Sequence, residues 1–213
     1  MSVARAGHDV ERFDRWSRTY ERSWLQVLLF DRAHRVVLDR ALRLPDAGQL
    51  TTILDVGCGT GRLLRATAGH WPQARLVGVD PAAGMVRVAR QLTPAATLVV
   101  APAQDLPLPD ASVDLAFSTL SFHHGADQAA GVREVARVLR PGGWFVLLDV
   151  SVPGWLARLF GDRPYLRPGE RLALFEAAGL HVVEQRPALS RFLPLTVACR
   201  RSVSDLDREQ SVA

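Results

Sequence analysis

Short apolar runs alternate with helix-like segments along most of this 213-residue chain, and this alternation constrains the fold more than any other feature. The apolar runs predict strands at Thr52–Val56, Leu76–Asp80, Thr97–Ala101, Val113–Thr119, Trp144–Val150, His181–Val183 and Thr196–Cys199. Helices are predicted at about 61–69, 83–91, 128–140 and 169–178. Nearly continuous apolar strands separated by helices indicate an α/β fold with a mostly parallel sheet, covered by helices on both faces. Because no clear helix separates the last two strands, they can pair antiparallel at one edge.

The first part of the chain carries a different, helical pattern. Apolar residues spaced three and four apart predict one helix, and they are Val10, Phe13, Trp16, Tyr20, Trp24, Val27 and Leu28. A second helical stretch is predicted through Val36, Val37 and Leu42. We therefore expect a helical cap over the functional site at residues 1–45, an α/β core at 46–202, and a disordered tail at 203–213.

Composition excludes several classes of function. All 26 basic residues other than histidine are arginines, so neither a Schiff-base lysine nor a phosphate-loop lysine exists in the chain. The net charge is a modest +4 and the arginines are interspersed with acids, so no nucleic-acid partner is expected. We find neither a membrane-spanning apolar stretch nor the apolar core of a signal peptide. With Cys58 and Cys199 as two expected free thiols, the prediction is a soluble, cytoplasmic protein.

The segment "ILDVGCGTGRLL", residues 53–64, places three glycines at alternate positions directly after the first predicted strand. The glycines are Gly57, Gly59 and Gly61. A dinucleotide-binding turn would require a third glycine where this chain has Arg62 or Leu64. The phosphate loop of nucleoside triphosphatases is excluded because it requires a lysine, which this chain lacks. The spacing therefore indicates a different ligand.

Two acids accompany the glycine turn. Asp55 lies at its edge, where negative charge favours a cation over a pyrophosphate. Asp80 ends the second strand, where a carboxylate can accept hydrogen bonds from both hydroxyls of a ribose. The residues thus suit a ligand with a ribose, a cationic part and no phosphate.

Four segments resemble the class I S-adenosylmethionine-dependent methyltransferases, in particular the small-molecule family that includes the ubiquinone/menaquinone C-methyltransferases. The segments are "ILDVGCGTGRLL", "LVGVDPAAGMVRVAR", "APAQDLPLPDASVDLAFSTLSFHH" and "VLRPGGWFVLLDV". They follow the family's order and spacing across about residues 10 to 200. The resemblance implies a Rossmann-like, seven-stranded sheet with an antiparallel last strand, and S-adenosyl-L-methionine as cofactor.

The resemblance also implies roles for individual residues. The three glycines would line the methionine end of the cofactor, and Asp80 would hold its ribose. Pro81 and Met85 would flank the adenine or ribose, Tyr20 would close over the methionyl carboxylate, and the Ser118 carbonyl would face the cofactor's amine.

One position departs from the family's pattern. Pro102 stands where the family has an acid that accepts a hydrogen bond from the adenine's amine. Proline can neither accept that bond through its side chain nor donate one from its backbone. Either Gln104 or the backbone amide of Ala103 would take over adenine recognition.

Two adjacent histidines, His123 and His124, follow the fourth strand at the edge of the sheet where ligands bind. Either can take a proton near neutral pH, which predicts a catalytic base; the alternative is that the pair only shapes the pocket wall. The remaining histidines adjoin no acid or cysteine at ligand spacing, so no metal site is expected. After the fifth strand, Trp155, Leu156, Leu159 and Phe160 form either a lid or an ordinary packed helix.

The resulting hypothesis is a methyltransferase that transfers the cofactor's methyl group to oxygen, nitrogen or carbon of a small, apolar or aromatic metabolite. Two alternatives remain open at the level of sequence. One is a non-catalytic S-adenosylmethionine-binding or regulatory protein, and the other is an RNA methyltransferase. The acceptor and the oligomeric state are not determined by these patterns.

Overall fold

The computed structural model describes residues 10–17, 24–152 and 165–201. Its helices are α1 (10–17), α2 (Trp24–Ala41), α3 (Arg62–His70), α4 (Ala83–Leu92), α5 (Gln128–Val138) and α6 (Pro168–Ala177). Its strands are β1 (Thr52–Val56), β2 (Arg75–Asp80), β3 (Thr97–Val100), β4 (Val113–Thr119), β5 (Leu139–Leu148), β6 (Leu180–Ser190) and β7 (Leu193–Arg200). Short 3-10 turns occupy Ala47–Gln49 and Phe122–His124.

The strands form one seven-stranded sheet in the order β3-β2-β1-β4-β5-β7-β6. Strands β1 to β5 are parallel, whereas β7 lies antiparallel between β5 and β6. The predicted Rossmann-like sheet with an antiparallel last strand is therefore confirmed. Because the chain order reverses between β1 and β4, the loops after these two strands diverge and leave a crevice at their carboxyl ends.

Residue alternation along the central strands divides the core into two hydrophobic clusters, one on each face of the sheet. Ile53 belongs to the cluster covered by α2, α3 and α4, while its neighbour Leu54 belongs to the cluster covered by α5 and α6. Successive side chains of a strand point to opposite faces, which explains this division. In β4, Leu115 and Ala116 are divided between the same two clusters.

Helix α2 corrects the prediction for the first part of the chain. Trp24 and Val37 lie in one continuous helix, so the predicted second helical stretch is not separate, and Leu42 lies beyond the helix end and is exposed. The carboxyl-terminal half of α2 is buried in the core through Ala33, Val37 and Leu38. The first predicted helix is seen as α1 over 10–17, and Tyr20 lies outside the described residues.

Three strand predictions were too short, and one of them is β7, which spans Leu193–Arg200 rather than Thr196–Cys199. Strand β5 begins at Leu139 rather than Trp144, because Leu139 pairs with Val113 before the register shifts around the turn at 140–143. Strand β6 extends to Ser190 rather than Val183, because its polar second half pairs with β7 at the sheet edge, where no apolar pattern is needed. The segment with Trp155 to Phe160 and the predicted tail at 203–213 lie outside the described residues.

Neither Cys58 nor Cys199 forms a disulfide in the described part of the chain. In the ranges that the structure describes, no helix combines the length and apolar character needed to cross a membrane.

Candidate active site

The carboxyl ends of β1, β2, β4 and β5 open into a cavity of about 1000 Å³. This volume lies at the upper end of the range for small-molecule sites, so the cavity has room for two ligands side by side. Many of the residues singled out from the sequence line it. They are Gly57, Gly59, Asp80, Pro81, Met85, Ala103, Gln104, His123 and His124.

The glycine turn lies across the end of β2. The backbone amides of Gly57 and Cys58 both donate to the Val79 carbonyl, at 2.7 and 3.1 Å, which directs the chain across the neighbouring strand. Gly57 has φ +76°, and a Cβ there would lie 2.3 Å from Ser121 Oγ. Both the conformation and the close approach require glycine at this position. The turn therefore exposes backbone rather than side chains to the cavity.

Asp80 joins the glycine turn to the start of α4. Its Oδ2 accepts a hydrogen bond from the Gly59 amide and its Oδ1 accepts one from the Ala82 amide, both at 2.9 Å. Burial raises the pKa of Asp80 to about 6, and these two amides oppose the increase. Each oxygen keeps a further lone pair, so the carboxylate can still accept hydrogen bonds from a ligand in the cavity.

Asp55 lies deeper than Asp80. It is buried and lines a separate small cavity of about 40 Å³ behind the glycine turn, together with His34 and Thr60. Burial, and then the nearby charge of Asp80, raise the pKa of Asp55 to about 8. A positive charge entering this region would favour the ionised form of Asp55.

Three predicted site residues do not line the large cavity. Gly61 faces α4 instead, where a Cβ would lie 2.8 Å from Thr93 Oγ1. Ser118 is fully buried, and its hydroxyl donates to the Val56 carbonyl at 2.9 Å. The third is Asp55. At the end of β4 the cavity is instead lined by Thr119, whose hydroxyl has no partner in the described part of the chain.

The segment after β3 forms another wall of the cavity, and Pro102 is part of it. The Gln104 amide oxygen, in the orientation that satisfies its surroundings, accepts hydrogen bonds from the amides of Ala126 and Asp127 at 2.9 and 3.0 Å. Because this oxygen holds the loop before α5, it is committed within the protein. Gln104 is therefore not available as the acceptor that would replace the missing acid, and the Ala103 backbone amide remains the other predicted group for adenine recognition.

His123 is paired with a carboxylate that the sequence analysis did not identify. Its Nδ1 lies 2.6 Å from Asp149 Oδ1, and its backbone amide donates to Asp149 Oδ2 at 2.7 Å. Asp149 directly follows β5, as Asp80 ends β2, so an acid at a strand's carboxyl end was the signal available in the sequence. Burial would raise the pKa of Asp149, but His123 and Arg171 together hold it below its ordinary value.

His124 contacts the helical segment in front of the sheet. Its ring packs edge-on against Phe13 of α1, with the centroids 5.0 Å apart, and lies 4.0 Å from the ring of His123. The two adjacent histidines thus face different partners, His123 the end of β5 and His124 the helix α1.

Much of the remaining cavity wall is apolar and comes from elements far apart in the chain. Residues of this wall that the sequence analysis did not assign to the site include Leu29, Phe30, Leu120, Val152, Tyr165 and Phe192. They lie in α2, after β4, after β5, before α6 and between β6 and β7. No local pattern distinguishes them from core residues, so only the fold brings them together.

The residues present fit S-adenosylmethionine. The Asp80 carboxylate at the end of β2 can accept from a ribose, the glycine turn leaves space for backbone approach, and the unpartnered Thr119 hydroxyl offers a further polar contact. No cluster of three or more histidine, cysteine or acidic side chains able to hold a metal ion is found in the described ranges.

Comparison with known proteins agrees with this geometry. Residues 54–147 match the sequence profile of the family described as "Methyltransferase domain". This segment of the chain is therefore similar to a methyltransferase domain. The matched segment runs from β1 to β5, the part of the sheet that supplies the glycine turn, Asp80 and the two histidines.

Two curated relatives extend the match beyond that domain. The chain is 36% identical over 135 residues to a malonyl-[acyl-carrier protein] O-methyltransferase of Yersinia pestis, covering 61% of this chain and 49% of the relative. It is 35% identical over 157 residues to a ubiquinone/menaquinone biosynthesis C-methyltransferase of Syntrophotalea carbinolica, covering 70% and 64%. The chain thus spans about half to two thirds of these relatives.

The fold is also similar to that of solved methyltransferases. An S-adenosylmethionine-dependent methyltransferase from Mesorhizobium loti superposes with a TM-score of 0.67 at 24% identity, over 80% of this chain and 99% of that one. This similarity supports the class I methyltransferase fold of the domain.

Proposed function

We propose that this chain transfers the methyl group of S-adenosylmethionine to a small, apolar or aromatic molecule, at oxygen, nitrogen or carbon. The observation that carries the proposal is the position of Asp80. Its carboxylate accepts hydrogen bonds from the amides of Gly59 and Ala82 and lines a cavity larger than one ligand needs. The match to a methyltransferase domain supports S-adenosylmethionine as the cofactor, and the largely apolar cavity wall supports an apolar or aromatic acceptor.

Within this proposal, Asp80 holds the ribose, and Gly57 and Gly59 adjoin the methionine part. Pro81, Met85 and Ala103 surround the adenosine. Asp55 acts from behind the turn by attracting positive charge. The roles proposed for Gly61 and Ser118 are indirect, since neither lines the large cavity.

The cap proposed over the site consists of α1 and the beginning of α2. Phe13 and Trp16 of α1 line the cavity, as do Leu29 and Phe30 of α2. Because the second half of α2 is part of the core, the cap ends within α2 rather than at residue 45.

Pro102 favours one alternative, a non-catalytic protein that binds the cofactor. The residue lines the cavity and brings no acceptor to the adenine. This alternative shares the cofactor site with the main proposal and differs only in whether a methyl group is transferred.

Calorimetry with S-adenosylmethionine and with S-adenosylhomocysteine tests the proposal. We expect both to bind the wild-type chain, and we expect Asp80→Ala to raise the dissociation constant roughly 10- to 100-fold, because charged hydrogen bonds contribute about 1.5–3 kcal/mol. The matched control is Asp39→Ala on the exposed face of α2. Absence of binding by a folded wild-type protein would overturn the proposal, and unchanged binding by Asp80→Ala would overturn the ribose assignment.

A further inference from the structure

His123 and Asp149 are joined through both the ring and the backbone amide of His123. Asp149 Oδ1 lies 2.6 Å from His123 Nδ1 and accepts a hydrogen bond from the Val150 amide at 2.8 Å, while Oδ2 accepts one from the His123 amide at 2.7 Å. Both oxygens therefore face donors. The carboxylate fixes the backbone and the ring of His123 at the same time.

This arrangement determines the tautomer of His123. Because Asp149 can only accept when ionised, the His123 Nδ1 must carry the proton, and Nε2 of the neutral ring is left as an acceptor. Within the described residues no hydrogen bond involves Nε2, and His123 lines the large cavity. The basic nitrogen is thus available to a molecule in the cavity.

The charges around the pair favour an ionised Asp149. Arg171 of α6 is buried beside it and donates to the Val150 carbonyl at 3.2 Å and to the Asp149 carbonyl at 3.4 Å. Among the described residues, the ionisable rings near His123 are those of His124 and Tyr165, with ring centroids 4.0 and 5.7 Å from that of His123. A proton gained by His123 would therefore be balanced by the adjacent carboxylate.

We propose that His123, positioned by Asp149, is the general base that removes the hydroxyl proton of a neutral phenol- or enol-type acceptor. The inference rests on the proposed function and names its acceptor class. A carboxylate acceptor is already ionised near neutral pH and would need no base. A hydroxyl on an apolar molecule needs one, and such a molecule suits a cavity that His123 lines together with Leu120, Val152 and Phe192.

The acceptor's O–H proton moves to His123 Nε2, and the electron pair of that oxygen forms the bond to the methyl carbon. The bond between that carbon and sulfur breaks with its electron pair remaining on sulfur, so the sulfonium becomes a neutral thioether. His123 is left as an imidazolium beside the Asp149 carboxylate, and it returns its proton to water once the products leave.

The tautomer can be measured without any acceptor. We expect nitrogen-15 NMR of the full chain at alkaline pH to show His123 protonated at Nδ1, assigned by the signal lost in His123→Gln. The control His181→Gln removes an exposed histidine on β6. A proton on Nε2 in the wild-type protein would overturn the proposal, even if no Asp149 variant folds.

The Asp149→Asn variant tests the positioning role. Its amide NH₂ must face a group that now donates to the carboxylate. If it faces the ring, Nδ1 becomes an acceptor and the proton moves to Nε2, which abolishes the base. We expect this tautomer change in the NMR spectrum. A folded variant with the wild-type tautomer and wild-type transfer rate would contradict the role of Asp149.

Methyl transfer to 4-nitrophenol and to 4-methoxyphenol distinguishes a general base at His123 from a purely structural role of the pair, because an ionised phenol needs no base. At a pH where only 4-nitrophenol is ionised, we expect Asp149→Asn to lose roughly 100-fold toward 4-methoxyphenol and far less toward 4-nitrophenol. His181→Gln should match the wild type. Equal losses with both phenols, or no transfer to either by a wild-type chain that binds cofactor, would overturn the inference. Failure of cofactor binding itself would instead count against the proposed function.

Discussion

At the scale of single residues, the two acids of the glycine turn differ in their surroundings. Asp80 accepts hydrogen bonds from two backbone amides, which limits the increase of its pKa to about 6. The pKa of Asp55 rises to about 8, because burial is reinforced by the charge of Asp80. The turn therefore contains one acid that is largely ionised near neutral pH and one that is largely protonated.

This difference predicts a specific pH dependence of stability. The pKa of Asp55 is raised in the folded state, so protonated Asp55 adds to the free energy of unfolding. This contribution is fully present below the ordinary pKa of 3.8 and is lost as pH rises through about 8. The contribution of Asp80 to the free energy of unfolding is lost by a pH near its own pKa of about 6. Above that pH, the further fall therefore reports on Asp55. We expect Asp55→Asn to reduce the fall in unfolding free energy across this upper range.

Urea unfolding at a series of pH values measures this effect, with Asp39→Asn as the control on an exposed surface. The same slope above pH 6 in wild type and Asp55→Asn would contradict the prediction.

Pro102 allows the opposite kind of test, a gain of affinity. We expect Pro102→Asp to lower the dissociation constant for S-adenosylmethionine by about 10-fold, because it restores an acceptor for the adenine amine, and a charged hydrogen bond contributes about 1.5–3 kcal/mol. Calorimetry measures the change. The control Pro109→Asp adds the same acid to an exposed position outside the cavity. Equal affinities in the two variants would mean that this wall does not contact the adenine.

At the scale of elements, α1 is attached to the start of α4 through a close contact at Gly84. The Asp14 carboxylate accepts a hydrogen bond from the Gly84 amide, and Ser17 Oγ donates to the Asp14 carbonyl at 2.7 Å. A Cβ on Gly84 would lie 2.7 Å from both Asp14 Oδ1 and Ser17 Oγ. The absence of a side chain at Gly84 therefore lets α1 approach the cavity.

We expect Gly84→Ala to displace α1 while leaving α4 intact, because alanine is the better helix former by up to about 1 kcal/mol. Hydrogen exchange of residues 10–17 should accelerate. The control Gly69→Ala places the same methyl group in α3, where it would meet nothing within 4 Å. Unchanged exchange in Gly84→Ala would show that the contact does not hold α1.

Elements also differ in how well the sequence predicted them. The bounds of β1 and β4 were predicted as observed, because both strands are almost entirely buried and most of their residues are apolar. The second half of β6 was missed, because a strand at a partly exposed edge is held by backbone pairing with β7 and needs no apolar side chains.

At the scale of the whole molecule, one sheet carries both hydrophobic clusters, and α2 belongs to the same core. Thermal unfolding of the chain should therefore show one transition. S-adenosylmethionine at 100 times its dissociation constant should stabilise the folded state by about 2.7 kcal/mol. For a chain of this size we expect the midpoint to rise by about 5–11 °C.

Scanning calorimetry measures this shift. The Asp80→Ala variant should lose most of it at the same cofactor concentration, and Asp39→Ala should keep it. Two separate transitions, of which the cofactor moves only one, would contradict the description of a single cooperative core.

The sequence by itself determined the parallel sheet, the position of the glycine turn and the presence of Asp80 at a strand end. These features depend on residues close together in the chain, where strand and turn preferences act locally. Only the tertiary structure decided that Asp149 meets His123, that Gln104 holds the loop before α5, and that Phe192 reaches the cavity. Such contacts follow from the order of strands in the sheet, which places β5 beside β4 and β7 on the other side of β5. Residue spacing along the chain does not encode that order.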